Sequence, residues 1–417
     1  MDKPTDPVNS KTHLTGLVQH CYYTPFFETV IRYLGGLLSA YALSGEPILL
    51  ARADDLGTLL LPVFKTPSGL PAFSVSVHTG QTATGWMGES ILFSEATSCQ
   101  LEFKYLAKLT GRKEYYTAVE RIMEHMYAQN PKDGLFALTW TRDGKPRDGE
   151  SPCDTSVCLL TQPPEHYSVG ASADSGYEYM LKQYLLTGDT KALAQYLKST
   201  EGILNTLLHL TPTRDLLYVG SSNHGKAIHA QEHLACFLPG VLALGAASVP
   251  ASHPLMPEGT RERHRWAAAG LAYTCYVAYA DQESGLGPDG MRMVPGRRWG
   301  DALGAWERGG RVGAAPGTGE AGRRGRAEGE GQRDYTSGGN PVYLLRPRGE
   351  WSFGFGCGGD ATVESLYVMW KTTGEEKWRE RGWEIFSAIE RHVRTPYGYA
   401  SVERVDSDPV HLIDDMP

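Results

Sequence analysis

Apolar positions recur at helical spacing along most of this chain. Near one end they are Phe27, Val30, Ile31, Leu34, Leu38 and Tyr41, and near the other they are Val363, Leu366, Tyr367 and Trp370. Both runs place the apolar side chains on one face of a helix. Four helical stretches end in Ser or Thr followed by a glycine, namely Gly45, Gly111, Gly188 and Gly374. Glycine is typical of helix ends because it adopts the left-handed conformation without strain.

A second helical stretch follows each of these glycines, so the repeated unit is a helical hairpin. The second stretches cover 46–61, 113–126, 189–208 and 375–393. Strand-like alternation is confined to short pieces such as Phe73–Val77 and Leu216–Val219, which are too few for a central sheet. Recurring hairpins without a sheet form an open solenoid or a closed toroid. Uneven spacing and long insertions favour the toroid.

Composition adds one unusual feature, an excess of glycine at 48 of 417 residues. Much of this excess lies in two predicted insertion loops, 296–339 and 349–360. In the first loop Gly, Arg, Glu and Ala dominate and apolar periodicity stops after Trp306, so we expect it to be flexible. The net charge of −8 argues against a nucleic-acid partner, which usually needs a basic face. The chain contains neither an apolar leader nor a run long enough to span a bilayer.

Acidic residues stand at several predicted helix starts. Glu28 falls in the first turn after Thr24-Pro25, interpreted as an N-cap followed by Pro at N1, with Arg32 four residues later on the same face. Ser175 and Glu178 have the spacing of a capping box. Each carboxylate alone is more typical of a cap than of a catalyst. Carboxylates that converge at one mouth of a toroid would instead supply the pair that glycoside hydrolysis requires.

Longer motifs connect these residues to a known family. In chain order they are FETVIRYLGGLLSAYALSG from Phe27, SVGASADSGYEYMLKQYLLTG from Ser168, HLACFLPGVLALG from His233, YTCYVAY from Tyr273, GLGPD from Gly285, LLRP from Leu344 and TVESLY from Thr362. Together they resemble the class I α-1,2-mannosidases, glycoside hydrolase family 47, and look most like its fungal members. The resemblance covers roughly positions 22–416.

The resemblance implies an all-α (α/α)7 barrel and a calcium-dependent, inverting exo-mannosidase. Such enzymes trim α-1,2-linked mannose from high-mannose N-glycans in the ER or Golgi, often behind an N-terminal membrane anchor, and we expect a monomer. Glu28 resembles the family's proton donor, which acts through a water, and Asp174 resembles its catalytic aspartate. Asp289 stands where the family usually has Glu at a third acidic position of the active site.

Four more residues match positions that line the mannose subsite of the family, namely Arg32, His233, Arg346 and Glu364. Cys236 and Cys275 match the family's disulfide, which would stabilise the fold by roughly 3–4 kcal/mol for a loop of this length. Their alternative state, two buried thiols, would require a chain that never meets an oxidising compartment.

The sequence departs from the family at the general base and at both ends. The family's RPE-x-x-ES motif is interrupted, because Arg348 follows Arg346-Pro347 and the position three residues before Glu364 is Ala361. Only Glu350 or Asp360 could replace the missing carboxylate. We expect residues 1–21 to be unrelated or disordered and 22–417 to be a truncated mannosidase domain that lacks the family's calcium-anchoring threonine. The alternatives are a catalytically inactive, glycan-binding relative and a fragment without function.

Overall fold

The computed structural model describes residues 23–147, 166–320, 333–337, 341–344 and 361–413. Its α-helices are α1 Phe26–Glu28, α2 Gly35–Ser44, α3 Pro47–Leu60, α4 Phe93–Thr97, α5 Gln100–Thr110, α6 Lys113–Gln129, α7 Asp174–Thr187, α8 Thr190–Thr206, α9 Leu238–Ser248, α10 Glu258–Ala280, α11 Trp299–Arg308, α12 Ala361–Thr373 and α13 Glu376–His392. A π-helical segment, Thr29–Leu34, joins α1 to α2, and 3-10 turns cover Leu61–Phe64 and His233–Phe237.

The strands are short and pair only in small antiparallel sheets. They are β1 Thr24–Pro25, β2 Ser74–Val75, β3 Thr82–Ala83, β4 Ser90–Leu92, β5 Thr139–Thr141, β6 Pro146–Arg147, β7 His166–Tyr167, β8 Leu208–Leu210, β9 Leu217–Val219, β10 Ser221–Asn223, β11 Lys226–Ile228, β12 Ala230–Glu232, β13 Gly290–Met293, β14 Tyr335–Thr336, β15 Arg394–Thr395, β16 Gly398–Tyr399, β17 Ser401–Val402 and β18 Leu412–Ile413. Within the described ranges no sheet exceeds three strands, so the prediction that a central sheet is absent is confirmed.

Five helical hairpins form the frame of the described chain, pairing α2 with α3, α5 with α6, α7 with α8, α9 with α10, and α12 with α13. The first helix of each hairpin packs against the first helix of the next, in the order α2, α5, α7, α9 and α12. Each hairpin reverses the chain, so these five inner helices run in the same direction. Their N-terminal ends therefore meet at one end of the ring, which is the geometry of a helical toroid.

The predicted hairpin glycines are confirmed at the ends of α2, α5, α7 and α12. Gly45, Gly111, Gly188 and Gly374 have φ values of 71°, 73°, 74° and 73°. A side chain would be strained in this left-handed conformation, and at all four positions an added Cβ would meet no neighbouring atom. These glycines therefore act by ending helices rather than by permitting close packing.

Aromatic rings connect the first two hairpins within the core. Phe26 and Phe103 each lie edge-on to Phe64, with ring centroids 5.2 Å and 5.4 Å apart. All three rings are buried. This packing fixes the first turn of α1 against α5, and α1 carries the first of the predicted site residues.

The expectation of a flexible loop over 296–339 is wrong for part of that range. Residues Trp299–Arg308 form α11, and β14 pairs with β13. Trp299, Ala302 and Leu303 are buried, and the Trp299 indole donates a hydrogen bond to Pro316 O at 2.9 Å. Three apolar residues at helical spacing are enough to attach this segment to the core despite its composition. Residues 321–332 and 338–340, like the second predicted loop at 349–360, lie outside the described part.

The predicted disulfide between Cys236 and Cys275 is confirmed. It connects the 3-10 turn before α9 to the C-terminal part of α10, and the two cysteines are 39 positions apart in sequence. The bond therefore fixes the start of one inner helix, where His233 lies, to its outer partner. None of the helices in the described ranges has the length and apolar character needed to cross a bilayer.

Candidate active site

Glu28 and Arg32 lie at the start of the first inner helix. Arg32 Nε donates to Glu28 Oε2 at 2.5 Å, which confirms the predicted contact between residues four apart. The predicted cap is wrong: Thr24 and Pro25 pair with β2, and the helix begins at Phe26 without a side-chain cap. Directly after Glu28 the backbone becomes π-helical, a rare geometry that recurs at functional sites.

Glu95, on the short helix α4, lies close enough to Glu28 for their charges to interact. Burial raises the pKa of Glu95, the Leu92 N–H bound by its carboxylate lowers this pKa, and the negative charge of Glu28 raises it further. The hydrogen bond from Leu92 N–H to Glu95 Oε2 is 3.2 Å long. Sequence reasoning missed Glu95, although its place in the first turn of a helix was a detectable signal.

Asp174 begins α7, and the loop before it holds it in place. Its N–H donates to Gly170 O at 2.9 Å, and Ser94 N–H of α4 donates to Ser172 O at 3.1 Å. The carboxylate accepts the Ser175 N–H on Oδ1 at 2.6 Å and is 7% exposed. The loop thus positions Asp174 beside the helix that carries Glu95.

A lysine connects α7 to α12. Lys182 Nζ lies 2.6 Å from Glu178 Oε1 and 3.7 Å from Glu364 Oε1. The predicted capping box is therefore wrong, because Glu178 pairs with Lys182 one turn further along the helix and Ser175 already lies within α7, which begins at Asp174. Sequence reasoning missed both Glu178 and Lys182 as members of the site, whereas Glu364 is in the first turn of α12 as predicted.

His233 and Asp289 are joined through the backbone. His233 N–H donates to Asp289 O at 2.9 Å, and Asp289 N–H donates to Val342 O at 2.8 Å. The ring nitrogen Nε2 of His233 lies 2.5 Å from the Tyr279 hydroxyl and 3.5 Å from Thr362 Oγ1. Because Thr362 is on α12, this contact places His233 near Glu364.

The structure thus joins the predicted residues in two groups at the same end of the inner helices. Glu28, Arg32 and Asp174 lie beside α4, whereas His233, Asp289 and Glu364 lie around the start of α12. Helix α7 links the groups, with Asp174 at its first residue and Lys182 two turns later. Arg346, Glu350 and Asp360 are outside the described residues. Ala361 is described, as the buried first residue of α12.

Metal-binding groups are not evident in this part of the chain. The described residues include no set of three or more His, Cys, Asp or Glu side chains arranged to hold an ion. They do not by themselves fit the calcium site that the resemblance implies, so we derive no step through a metal.

The fold and the acid-rich end define a protein of the helical-toroid class. The comparisons then identify the family: the chain belongs to Glycosyl hydrolase family 47, whose sequence profile matches residues 11–417. This match begins inside the segment 1–21.

Relatives and solved structures agree with this assignment. The chain is 34% identical over 393 residues to the endoplasmic reticulum mannosyl-oligosaccharide 1,2-alpha-mannosidase of Homo sapiens, covering 92% of this chain and 46% of the human protein. It is 30% identical to the mannosyl-oligosaccharide 1,2-alpha-mannosidase MNS1 of Arabidopsis thaliana, covering 93% and 57%. The chain thus spans about half the length of the curated relatives it matches.

Among solved structures, the alpha-1,2-mannosidase from Trichoderma reesei superposes with a TM-score of 0.71 at 26% identity, over 94% of this chain and 73% of that protein. A cellobiose 2-epimerase from Bacillus thermoamylovorans superposes with a TM-score of 0.58 at 10% identity, over 94% and 82%. At that identity the epimerase shares the fold alone.

Proposed function

We propose that this protein is an α-1,2-mannosidase that removes terminal α-1,2-linked mannose from high-mannose N-glycans in the secretory pathway, acting as a monomer. The observation that carries the proposal is the gathering of Glu28, Asp174, His233 and Glu364 at one end of the inner helices. Family membership and the names of the matched relatives supply the substrate class. The alternative substrates of a toroid, such as those of an epimerase, are supported only by fold likeness.

Protonation of the leaving oxygen is assigned to Glu28 acting with Glu95. Arg32 orients the Glu28 carboxylate at 2.5 Å. Burial raises the pKa of Glu95, the Leu92 N–H lowers it and the charge of Glu28 raises it further, so Glu95 holds a proton more readily than a free glutamate does. A water between the two carboxyls would pass that proton to the glycosidic oxygen, in agreement with the water-mediated role that the family resemblance implies for Glu28.

An inverting enzyme also needs a carboxylate that activates water on the opposite face of the sugar, in the same step as protonation of the leaving oxygen. The family's residue for that role is replaced by Ala361. Asp174 accepts hydrogen bonds from the Ser175 N–H and the Ser175 hydroxyl, at 2.6 Å and 3.2 Å, which fix the orientation of its carboxylate. We assign the catalytic aspartate role to Asp174 and a third acidic position to Asp289. Arg32, His233, Arg346 and Glu364 are assigned to the mannose subsite.

Calcium dependence is part of the proposal through family resemblance alone. Mannose release measured with added calcium and with excess chelator tests this dependence directly. A rate that is unchanged by the chelator would contradict it.

The residue at position 361 limits turnover. Ala361 occupies the register of the family's base, three residues before Glu364, and its methyl group cannot accept a proton. Ala361→Glu places a carboxylate at the N-terminus of α12, where the helix dipole favours negative charge. We expect mannose release from a high-mannose N-glycan to rise about 100-fold, the lower range for a general base.

Ala361→Gln is the matched control, because it has the same size without the charge and should leave the rate unchanged. Asp174→Asn should abolish release in both backgrounds. If neither the natural chain nor Ala361→Glu releases mannose at saturating calcium, while both unfold cooperatively, the hydrolase proposal is refuted.

The same alanine favours a second candidate function, binding of terminal mannose without turnover. Calorimetry with an α-1,2-linked mannobiose distinguishes the two. Binding heat without mannose release supports the glycan-binding protein, and a well-folded chain that gives no heat eliminates it.

A further inference from the structure

Glu102 is a fully buried carboxyl group beneath the candidate site, on the inner helix α5. The Tyr179 hydroxyl donates to Glu102 Oε1 at 2.9 Å. The other oxygen, Oε2, is buried and has no hydrogen-bond partner among the described residues. An ionised carboxylate with one uncompensated oxygen in such a position is costly, so this environment favours the protonated acid.

The charged groups around Glu102 are those of the site itself. Helix α7 presents Tyr179, Glu178 and Lys182 to it, with Lys182 favouring the ionised form of Glu102 and Glu178 opposing it. The thiol of Cys99, the N-cap residue of α5, also interacts electrostatically with the Glu102 carboxyl group. Lys104, two residues after Glu102 on α5, pairs with Glu120 of α6 at 2.6 Å and is therefore not the counterion of Glu102.

These opposing effects leave the pKa of Glu102 near neutral pH. Burial raises the pKa of Glu102 to about 7, although hydrogen bonds from its own N–H and from Tyr179 and the charge of Lys182 all lower it. Lys182 therefore interacts electrostatically with three carboxyl groups, those of Glu102, Glu178 and Glu364. It pairs with Glu178 at 2.6 Å and lies 3.7 Å from Glu364.

We propose that Glu102 is a positioning residue that retains its proton while the site works, so that Lys182 stays between Glu178 and Glu364. Loss of that proton adds a buried negative charge under α7 and draws Lys182 towards α5. Glu364, which is assigned to the mannose subsite, then loses the cation that orients it. The catalytic consequence rests on the proposed function, whereas the retained proton does not.

Glu102→Gln tests both parts, because glutamine has nearly the same shape and is neutral at every pH. Release of this proton should contribute a fall in melting temperature as the pH rises from about 5 to 7, since the unfolded chain releases it at lower pH than the folded chain does. Glu102→Gln lacks this contribution, so over that interval its melting temperature should rise relative to that of the natural chain. Glu124→Gln, which removes an exposed carboxylate from the adjacent helix α6, should keep the pH dependence of the natural chain.

The positioning role is read from the pH profile of kcat/KM on an α-1,2-linked mannobiose. One unit above a pKa of about 7, only about a tenth of Glu102 is protonated, so the natural chain should lose about tenfold between pH 6 and pH 8. Glu102→Gln should lose much less over that interval. If turnover is too slow to measure, binding of methyl α-mannoside at the same two pH values replaces it.

Tyr179→Phe gives an independent test that leaves Glu102 in place. It removes a hydrogen bond that lowers the pKa of Glu102, so both pH-dependent falls should move to higher pH. The proposal is overturned if Glu102→Gln and the natural chain share the same pH dependence of melting, or if their profiles of kcat/KM or binding coincide. Absence of turnover and of binding in every variant would instead refute the proposed function, and the melting data would still decide whether Glu102 keeps its proton.

Discussion

Replacing Lys182 by methionine removes the charge that connects the two acid-bearing helices of the site. Methionine keeps the length and the apolar part of the side chain. Lys182 lies 2.6 Å from the Glu178 carboxylate, whose side chain is only 2% exposed, so water cannot easily replace the ammonium group. Glu364, at 3.7 Å and 21% exposed, loses a weaker partner. The main consequence is the loss of the cation that lies against the buried Glu178 carboxylate.

The size of the loss follows from that geometry. At an effective dielectric constant of about 20, unit charges 2.6 Å apart attract by about 6 kcal/mol. The desolvation of both groups offsets part of this attraction, and breaking a buried pair by removing one partner typically costs about 3–5 kcal/mol. We expect Lys182→Met to lower the free energy of unfolding by that amount at neutral pH.

Urea unfolding followed by circular dichroism measures this effect, provided that the m-values of the variants agree. The matched control is Lys182→Met combined with Glu178→Gln, which removes both charges and should recover most of the lost stability. A loss below about 1 kcal/mol for the single variant, the range of surface ion pairs, would refute the reasoning. A double variant as unstable as the single one would show that packing, and not charge, is responsible.

Two further predictions concern stability away from the site. Burial lowers the pKa of His264 to about 4, so the unfolded chain takes up a proton between pH 6.5 and 4 that the folded chain excludes, and stability should fall by about 3 kcal/mol over that interval; His264→Gln should flatten the dependence of the melting temperature on pH in the same window. Gly202→Ala would place a Cβ 1.9 Å from the Asp133 carbonyl oxygen, so it should cost about 2 kcal/mol or more in urea unfolding, whereas Gly36→Ala meets no atom within 4 Å on a helix and should gain up to about 1 kcal/mol. Equal effects of the two alanines would contradict this distinction.

The hairpins could be predicted from sequence because their signals are local. A glycine after a Ser or Thr at the end of an apolar repeat is sufficient to locate a helix end, and the second helices begin within one residue of the predicted positions. The Glu28–Arg32 pair was predictable for the same reason, since residues four apart on a helix are neighbours. The disulfide required the longer motifs of the family, because nothing local relates positions 39 apart.

The parts that sequence reasoning missed depend on contacts between distant segments. Lys182 joins Glu178 to Glu364 across two inner helices, and no spacing in the sequence relates residue 182 to residue 364. Helix α11 was missed because glycine and arginine dominate its surroundings, whereas burial of Trp299, Ala302 and Leu303 explains its order. Composition describes a segment on average, whereas a few buried side chains decide whether it folds.

The groups bound by its oxygens distinguish a carboxylate that caps a helix from one that takes part in chemistry. Asp174 and Glu95 accept backbone N–H groups and so have a capping role, yet the bonded oxygen also fixes the orientation of the carboxylate. Glu28, Glu178 and Glu364 face cationic side chains instead, which no capping role requires. A chain that places three buried or half-buried carboxylate–cation contacts at the same end of its inner helices incurs a desolvation cost there. Function is the better explanation of that cost, because apolar residues would hold the same helices together at least as well.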